Sequence, residues 1–493
     1  MFTSSWELAL IWTAATVLVP IIPWVLFIWL LMGNKIQWTL LYILGWFAGN
    51  GVLAFSLLNF QFIHLGISIW TYLLLVTILL VLLQVKKLIH PELKTITTKN
   101  TWLRWIRGLR LTFNHTALKE SFQSLSSIIK GLTIISSIFV VIYWVITFLW
   151  TVSFPSYFDD SYTNWHKPVV HILEDWEVTL FWEKEQILAR SRLGYPIHIP
   201  IVKASISQFT GGWNEIYWNL WQWFIAAFFV IFLTYETYRR KKNTFLAILP
   251  ALFIFSIPLL FFHITSGLLD LASSVYAVLS VWSFYVFLEN KDYSYLTLWV
   301  LFGSILSYIK NDGFIVYFPG IILGFLSALL LWKQFLPTIK NLFGKERKYL
   351  YGILCTLIYF YSPFLFLKFY HGLGYNQAQG NIQGIGLSNA VNWEIFSQYN
   401  SMFFGQSTYW VILILLIGLT VVVLFKTKKE QKNVSLFILA TTLFIFLIFT
   451  SVFLFTDNAQ FVLNQQTVNR VYVMTFVILL SFSWLLLDEN EIR

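Results

Sequence analysis

The chain has 493 residues, 58% apolar and 19% aromatic but only 11% charged. Soluble domains carry roughly a quarter charged residues, so this composition excludes an ordinary water-soluble fold and places the chain in lipid. The formal net charge of +10 does not mark a nucleic-acid binder, because the basic residues are distributed by loop and form no stripe.

Apolar runs such as Ile67 to Val85, Gly131 to Trp150 and Tyr409 to Phe425 approach or reach the length needed to cross about 30 Å of hydrocarbon. Hydropathy predicts about thirteen spans, near residues 8–32, 38–58, 65–85, 131–152, 214–236, 245–264, 269–288, 295–309, 313–332, 350–368, 409–425, 434–455 and 468–487. The first is expected to be a retained span, since Met1 to Leu8 has neither a basic n-region nor a cleavage signature. The span at 295–309 is short, which implies tilt, local thinning or a break near Lys310. The single cysteine, Cys355, sits in an apolar run and reads as packing.

Lysine and arginine set the orientation, because short cytoplasmic loops accumulate them. The loop 86–130 and the clusters at 239–242, 333–348 and 426–432 fall on one side when thirteen spans alternate. With Lys35, Lys291 and Arg493 added, that side holds 25 of the 33 basic residues. The expected protein is thus a multi-pass plasma (inner) membrane protein with an external N-terminus and a cytoplasmic C-terminus. The expected domains are an accessory three-helix module over 1–85, a basic cytoplasmic loop over 86–130 and a core over 131–493. External loops cover 153–213 and 369–408.

The first external loop is too long and too charged for a connector. Within it Trp165, Val169, Ile172, Leu173 and Trp176 recur at helical spacing while Lys167, His171 and Asp175 line another face. That pattern predicts an amphipathic helix in the membrane interface. The second loop is rich in Gly, Asn and Gln and reads as an irregular segment of the kind that serves as a lid.

Eight basic residues remain for the outer side: Lys167, Lys184, Arg190, Arg192, Lys203, Lys310, Lys368 and Arg470. Charge near bilayer depth needs a partner or a purpose. Asp159 and Asp160 follow closely on a span; they can take a proton from a hydroxyl or hold a divalent cation, and equally can cap a helix. Arg190 to Pro200 forms an extended turn presenting Arg192 and His198, with His198 the weaker candidate. Asp270 opens a span, where it can also act as a cap, and Lys310 and Asp312 can pair with each other. Arg470 begins the last span, placed to snorkel or to meet a phosphate.

In this order the fragments resemble the GT-C superfamily of membrane glycosyltransferases, especially the bacterial members similar to protein O-mannosyltransferases and aminoarabinose transferases, family 39-like. The resemblance covers roughly residues 131–487 and rests on Asp159-Asp160, Tyr195-Pro196, Asp270, Lys310 to Gly313 and Arg470. The chain departs from the family in three extra N-terminal spans and in lacking a recognisable soluble C-terminal domain.

The resemblance implies an all-α polytopic fold and an inverting displacement on a polyprenyl-phosphate sugar, with a glycan, lipid or protein as acceptor. It implies Asp159 or Asp160 as general base. Arg470, Lys310 and Arg192 would meet the departing phosphate, and Lys167, His171, Tyr195, Asp270 and Asp312 would line the substrate site. A divalent metal, if used, falls to Asp159 and Asp160. No GxxxxGK[ST] element is present, in keeping with a lipid donor. An O-antigen-type ligase or polymerase would use similar groups. A transporter would place ionisable residues at midplane on broken helices, whereas here the sequence collects them at the outer face.

Overall fold

The computed structural model describes residues 6–32, 38–61, 65–89, 115–155, 161, 165–175, 196–310, 312–331, 335–370, 393–405 and 432–455, with residues 410, 414, 417, 418, 420, 421, 462, 477 and 481. Among these residues the secondary structure is helix joined by turns and short connections, with no strand. Seven helical stretches are long and apolar enough to cross a bilayer: Trp6–Leu26, Ile43–Phe60, Ile69–Lys86, Ser127–Ser153, Tyr217–Lys241, Asp270–Asn290 and Leu436–Leu454. The chain is an all-α, membrane-embedded protein.

The helices are α1 (Trp6–Met32), α2 (Trp38–Gln61), α3 (Ile69–Ile89), α4 (His115–Gln123), α5 (Ser127–Ser153), α6 (Lys167–Asp175), α7 (His198–Phe209), α8 (Leu220–Lys241), α9 (Thr244–Ser256) and α10 (Pro258–Thr265). They continue with α11 (Asp270–Asn290), α12 (Tyr293–Leu306), α13 (Phe318–Leu331), α14 (Phe335–Phe343), α15 (Arg347–Tyr370), α16 (Trp393–Gly405) and α17 (Lys432–Phe455). Most of the expected spans 409–425 and 468–487 lies outside the described residues.

Helix α5 shows which solvent the sequence is written for. Ile128, Leu132, Ile135, Ile138, Ile142, Ile146 and Leu149 are exposed, while Thr133, Ser136, Val140, Thr147, Thr151 and Val152 are buried. In water that arrangement would expose a large apolar surface at great cost. In lipid it is favourable, because small and hydroxylated residues pack closely against neighbouring helices and find hydrogen-bond partners there. Trp223 Nε1, for example, donates to Thr147 Oγ1 at 3.1 Å.

One expected span is two helices. Over 245–264 the chain runs as α9, breaks at Ile257 and restarts as α10 with Pro258 at its first position. Ile257 adopts an extended conformation, φ −91° and ψ 111°, as a residue before proline favours, and Pro258 has no N–H to continue the ladder.

The chain forms two compact units. The first, Met1–Trp182 with Ile197–Leu268, is held by indole and amide donors that need acceptors in a low dielectric. Trp46 Nε1 donates to the Thr16 carbonyl at 2.9 Å and Tyr72 OH to that of Val19 at 3.1 Å. Trp221 Nε1 donates to Asn50 Oδ1 at 2.9 Å, and Gln208 Nε2 to the Ile67 carbonyl at 2.6 Å. The helices expected as an accessory module over 1–85 therefore share one unit with α5 and α7–α10. The division falls after Leu268, inside the stretch expected to be one core.

The second unit comprises Glu183–Pro196 and Leu269–Arg493. Its α11 is buried on every side from Asp270 to Leu288, as a helix apolar all round should be. Helices α13 and α17 meet through Gly320 and Gly324, four residues apart. A Cβ at Gly320 would lie 2.5 Å from Ile445 Cγ1, and one at Gly324 2.0 Å from Thr441 Oγ1. This is the close backbone approach that small residues permit in membranes.

One expectation is corrected and another is sharpened. Cys355 is exposed, on the side of α15 that also exposes Leu354 and Ile358, so it faces outward and is not a packing residue. The amphipathic stretch is real, with Trp165, Val169 and Ile172 buried, but α6 packs against α7. Its apolar face covers protein.

Candidate functional site

Among the described residues each unit contains a buried polar centre that includes a lysine. That of the second unit begins at the N-terminus of α11, where Asp270 stands in the first turn and a carboxylate is favoured by the unpaired amides and the helix dipole. Lys310 lies beyond the C-terminal end of α12, in the short non-helical connection before a π-helical turn, Gly313–Tyr317. Lys310 Nζ lies 2.7 Å from Asp270 Oδ1 and 2.9 Å from Asp312 Oδ2. The side chains of Lys310 and Asp270 are 9% and 4% exposed, that of Asp312 33%.

The arrangement is directional: buried Asp270 holds Lys310, and Lys310 holds the carboxylate that reaches the surface. Below it, Ser274 Oγ donates to the Asp270 carbonyl at 3.1 Å and lies 3.3 Å from Tyr317 OH. Gly313 is required where it stands, since a Cβ there would lie 2.0 Å from the Leu306 carbonyl oxygen. Any side chain would push the π turn, and Lys310 and Asp312 with it, off the end of α12.

The expected pairing of Lys310 with Asp312 is present, and Asp270, forty residues earlier in the sequence, joins it. Two carboxylates on one ammonium do not suit Lys310 to the role of phosphate anchor that the resemblance implied. Its geometry is that of a positioning group.

The first unit's centre lies on α7, which is not one of the seven spans. Lys203, 1% exposed, points its Nζ at His166 Nε2, 3.3 Å away, and His166 is itself fully buried. The Trp218 ring lies edge-on to His166 at 5.1 Å between centroids. Trp218 Nε1 donates to Ser207 Oγ at 2.8 Å, and Ser207 Oγ donates to the Lys203 carbonyl at 2.8 Å. Burial pushes the Lys203 amine down to about 7. Burial first, and then the Lys203 charge, hold the His166 imidazole well below its ordinary value. In the same unit, Ser161 Oγ donates to the Ser266 carbonyl and Gln222 Nε2 to the Gly267 carbonyl at 2.8 Å.

Of the other sequence candidates, Lys167 and His171 lie on α6, where the half-buried His171 lies 3.8 Å from the exposed Glu174. His198 is buried against Phe55, ring centroids 4.1 Å apart, a packed histidine. Asp159, Asp160, Arg192, Tyr195 and Arg470 lie outside the described residues. Among the described residues no group of three or more His, Cys, Asp or Glu is placed to hold a metal ion.

The sequence named Lys203 among the outer basic residues but gave no hint of its partner, because Lys203 and His166 are 37 residues apart. The available signal was His166 itself, set against the buried Trp165 and Val169. Glu236, buried between Arg239 and Arg240 at 2.7 and 2.6 Å, was legible from the three- and four-residue spacings that bring helical side chains together. No protein-family model, no curated protein and no solved structure matches the chain.

Proposed function

We propose that the chain is an inverting glycosyltransferase of GT-C type, with thirteen spans and an external N-terminus, moving a sugar from a polyprenyl-phosphate donor to an acceptor on the extracytoplasmic side. The supporting observation is that two fragments of the resemblance, Asp270 and Lys310 to Gly313, meet in one buried ion-paired centre built around a glycine that cannot be replaced. In this reading Asp312 offers its carboxylate to sugar hydroxyls, while Lys310 and Asp270 fix its position. Asp159 or Asp160 removes the acceptor proton.

The test is sugar transfer from a radiolabelled polyprenyl-phosphate sugar by the purified chain in nanodiscs. Asp159→Asn or Asp160→Asn should lower turnover about 10²- to 10⁴-fold, the usual contribution of a general base, with folded protein retained. Full activity in both variants removes the base assignment, and no transfer by the wild type from any such donor removes the reading.

A second reading, a secondary transporter, draws support from the break at Ile257–Pro258 and the non-helical connection bearing Lys310, since broken helices carry transporter sites. Solute uptake by proteoliposomes without donor turnover would favour it.

A further inference from the structure

Among the described residues, the buried charged groups of helix α8 and of the α11–α12 region are met by opposite charges, and Lys203 is not. Glu236 has Arg239 and Arg240, and Lys310 has Asp270 and Asp312. Among the described residues Lys203 has only His166, a second base. Helices α1, α2, α3 and α6 pack against α7. Their described titratable side chains include Glu7, Tyr72, Lys86, Lys167, His171 and Glu174, and none pairs with Lys203 or His166.

The first unit also leaves buried polar atoms unsatisfied. His166 Nδ1 is buried and makes no hydrogen bond, and so are Gln222 Oε1, one helical turn on from Trp218, and Ser266 Oγ. Buried polar atoms are normally paired, so each needs an explanation in a bound group or an ordered water. Two adjacent basic nitrogens make a demand that water meets poorly: neither can hold a proton without an acceptor of negative charge beside it.

We propose that Lys203 and His166 form an oxyanion site that takes a phosphate group, with Lys203 Nζ and one imidazole nitrogen as its donors. Binding would carry a proton in with the phosphate, because the oxyanion supplies the counter-charge that makes the ammonium tenable there. Being shielded from water, each charge-assisted bond counts for more than it would at the surface. In the glycosyltransferase reading this is where the donor's phosphate is received, the role Lys310 is ill placed to fill, and to that extent the inference rests on that reading.

The experiment is equilibrium binding of farnesyl phosphate and of inorganic phosphate to the full chain in zwitterionic nanodiscs, with thermal unfolding measured on every variant. Lys203→Met should weaken binding about 10- to 100-fold, the loss of one charge-assisted hydrogen bond, whereas Lys203→Arg should retain most of it. Farnesyl phosphate binding that inorganic phosphate does not displace identifies a lipid headgroup as the source; displacement identifies free phosphate, and both outcomes support an oxyanion site. A folded wild type that binds neither probe, or a Lys203→Met protein that binds as the wild type does, overturns it. Phosphate binding through Lys203 without any sugar transfer keeps the site and removes the glycosyltransferase reading. Sugar transfer unchanged in Lys203→Met removes the site and keeps the reading.

Discussion

The two buried lysines solve one problem in opposite ways. Lys310 sits between two carboxylates and keeps its charge, whereas Lys203 sits beside an imidazole and gives its proton up near neutral pH. Burial alone therefore does not say what a lysine does; its neighbours decide whether it becomes a fixed charge or a titrating base. A fixed charge of this kind positions something, here the Asp312 carboxylate. A base at the edge of ionisation is poised to respond to an anion or to pH.

The largest expected effect comes from breaking the paired lysine. Lys310→Met takes the ammonium away from the buried Asp270 carboxylate, and removing one partner of a buried pair costs about 3–5 kcal/mol. Adding Asp270→Asn to that variant should restore a large part of the loss, read by unfolding in detergent. Strictly additive losses would mean that the 2.7 Å contact does not couple the two residues.

The unpaired lysine should behave in the reverse sense. The folded chain holds the Lys203 amine near 7, while the unfolded chain holds it near 10.5. Between those values the unfolded state binds a proton that the folded state does not, so stability rises with pH through this window and this contribution is flat below it. From pH 7 to 9 the wild type should gain about 2–3 kcal/mol relative to Lys203→Met, at roughly 1.4 kcal/mol per pH unit. Equal pH profiles for the two proteins would show that the amine is not displaced.

A smaller change that touches neither lysine calibrates both. Gly324→Ala forces a methyl group into Thr441 and should cost about 1–3 kcal/mol by overpacking, with the pH profile unaltered. A change in that profile would mean that packing in the second unit, and not Lys203, sets it.

What the sequence made legible follows from the range of each signal. Helices came from continuous apolar runs, and every expected span from 8–32 to 350–368, with 434–455, has helix over it. The break at Pro258 lay in the residues but was hidden by hydropathy, which reads a proline flanked by Ile257 and Leu259 as apolar. Pairing of Lys310 with Asp312 was visible because the two are close in sequence. The addition of Asp270 and the meeting of Lys203 with His166 were not, since each depends on which helices pack together. The grouping of α1–α3 with α7 and α8 was equally hidden: Trp221 gives no sign in the sequence that its acceptor is Asn50, 171 residues away.

The contrast between the lysines is open to one direct measurement, the ¹⁵N chemical shifts of the lysine side chains in nanodiscs at pH 8, assigned by the resonances lost in Lys203→Met and Lys310→Met. Lys203 should appear as a neutral amine that converts to an ammonium when phosphate binds, and Lys310 as an ammonium throughout. Two ammonium signals at pH 8 without phosphate would contradict the account.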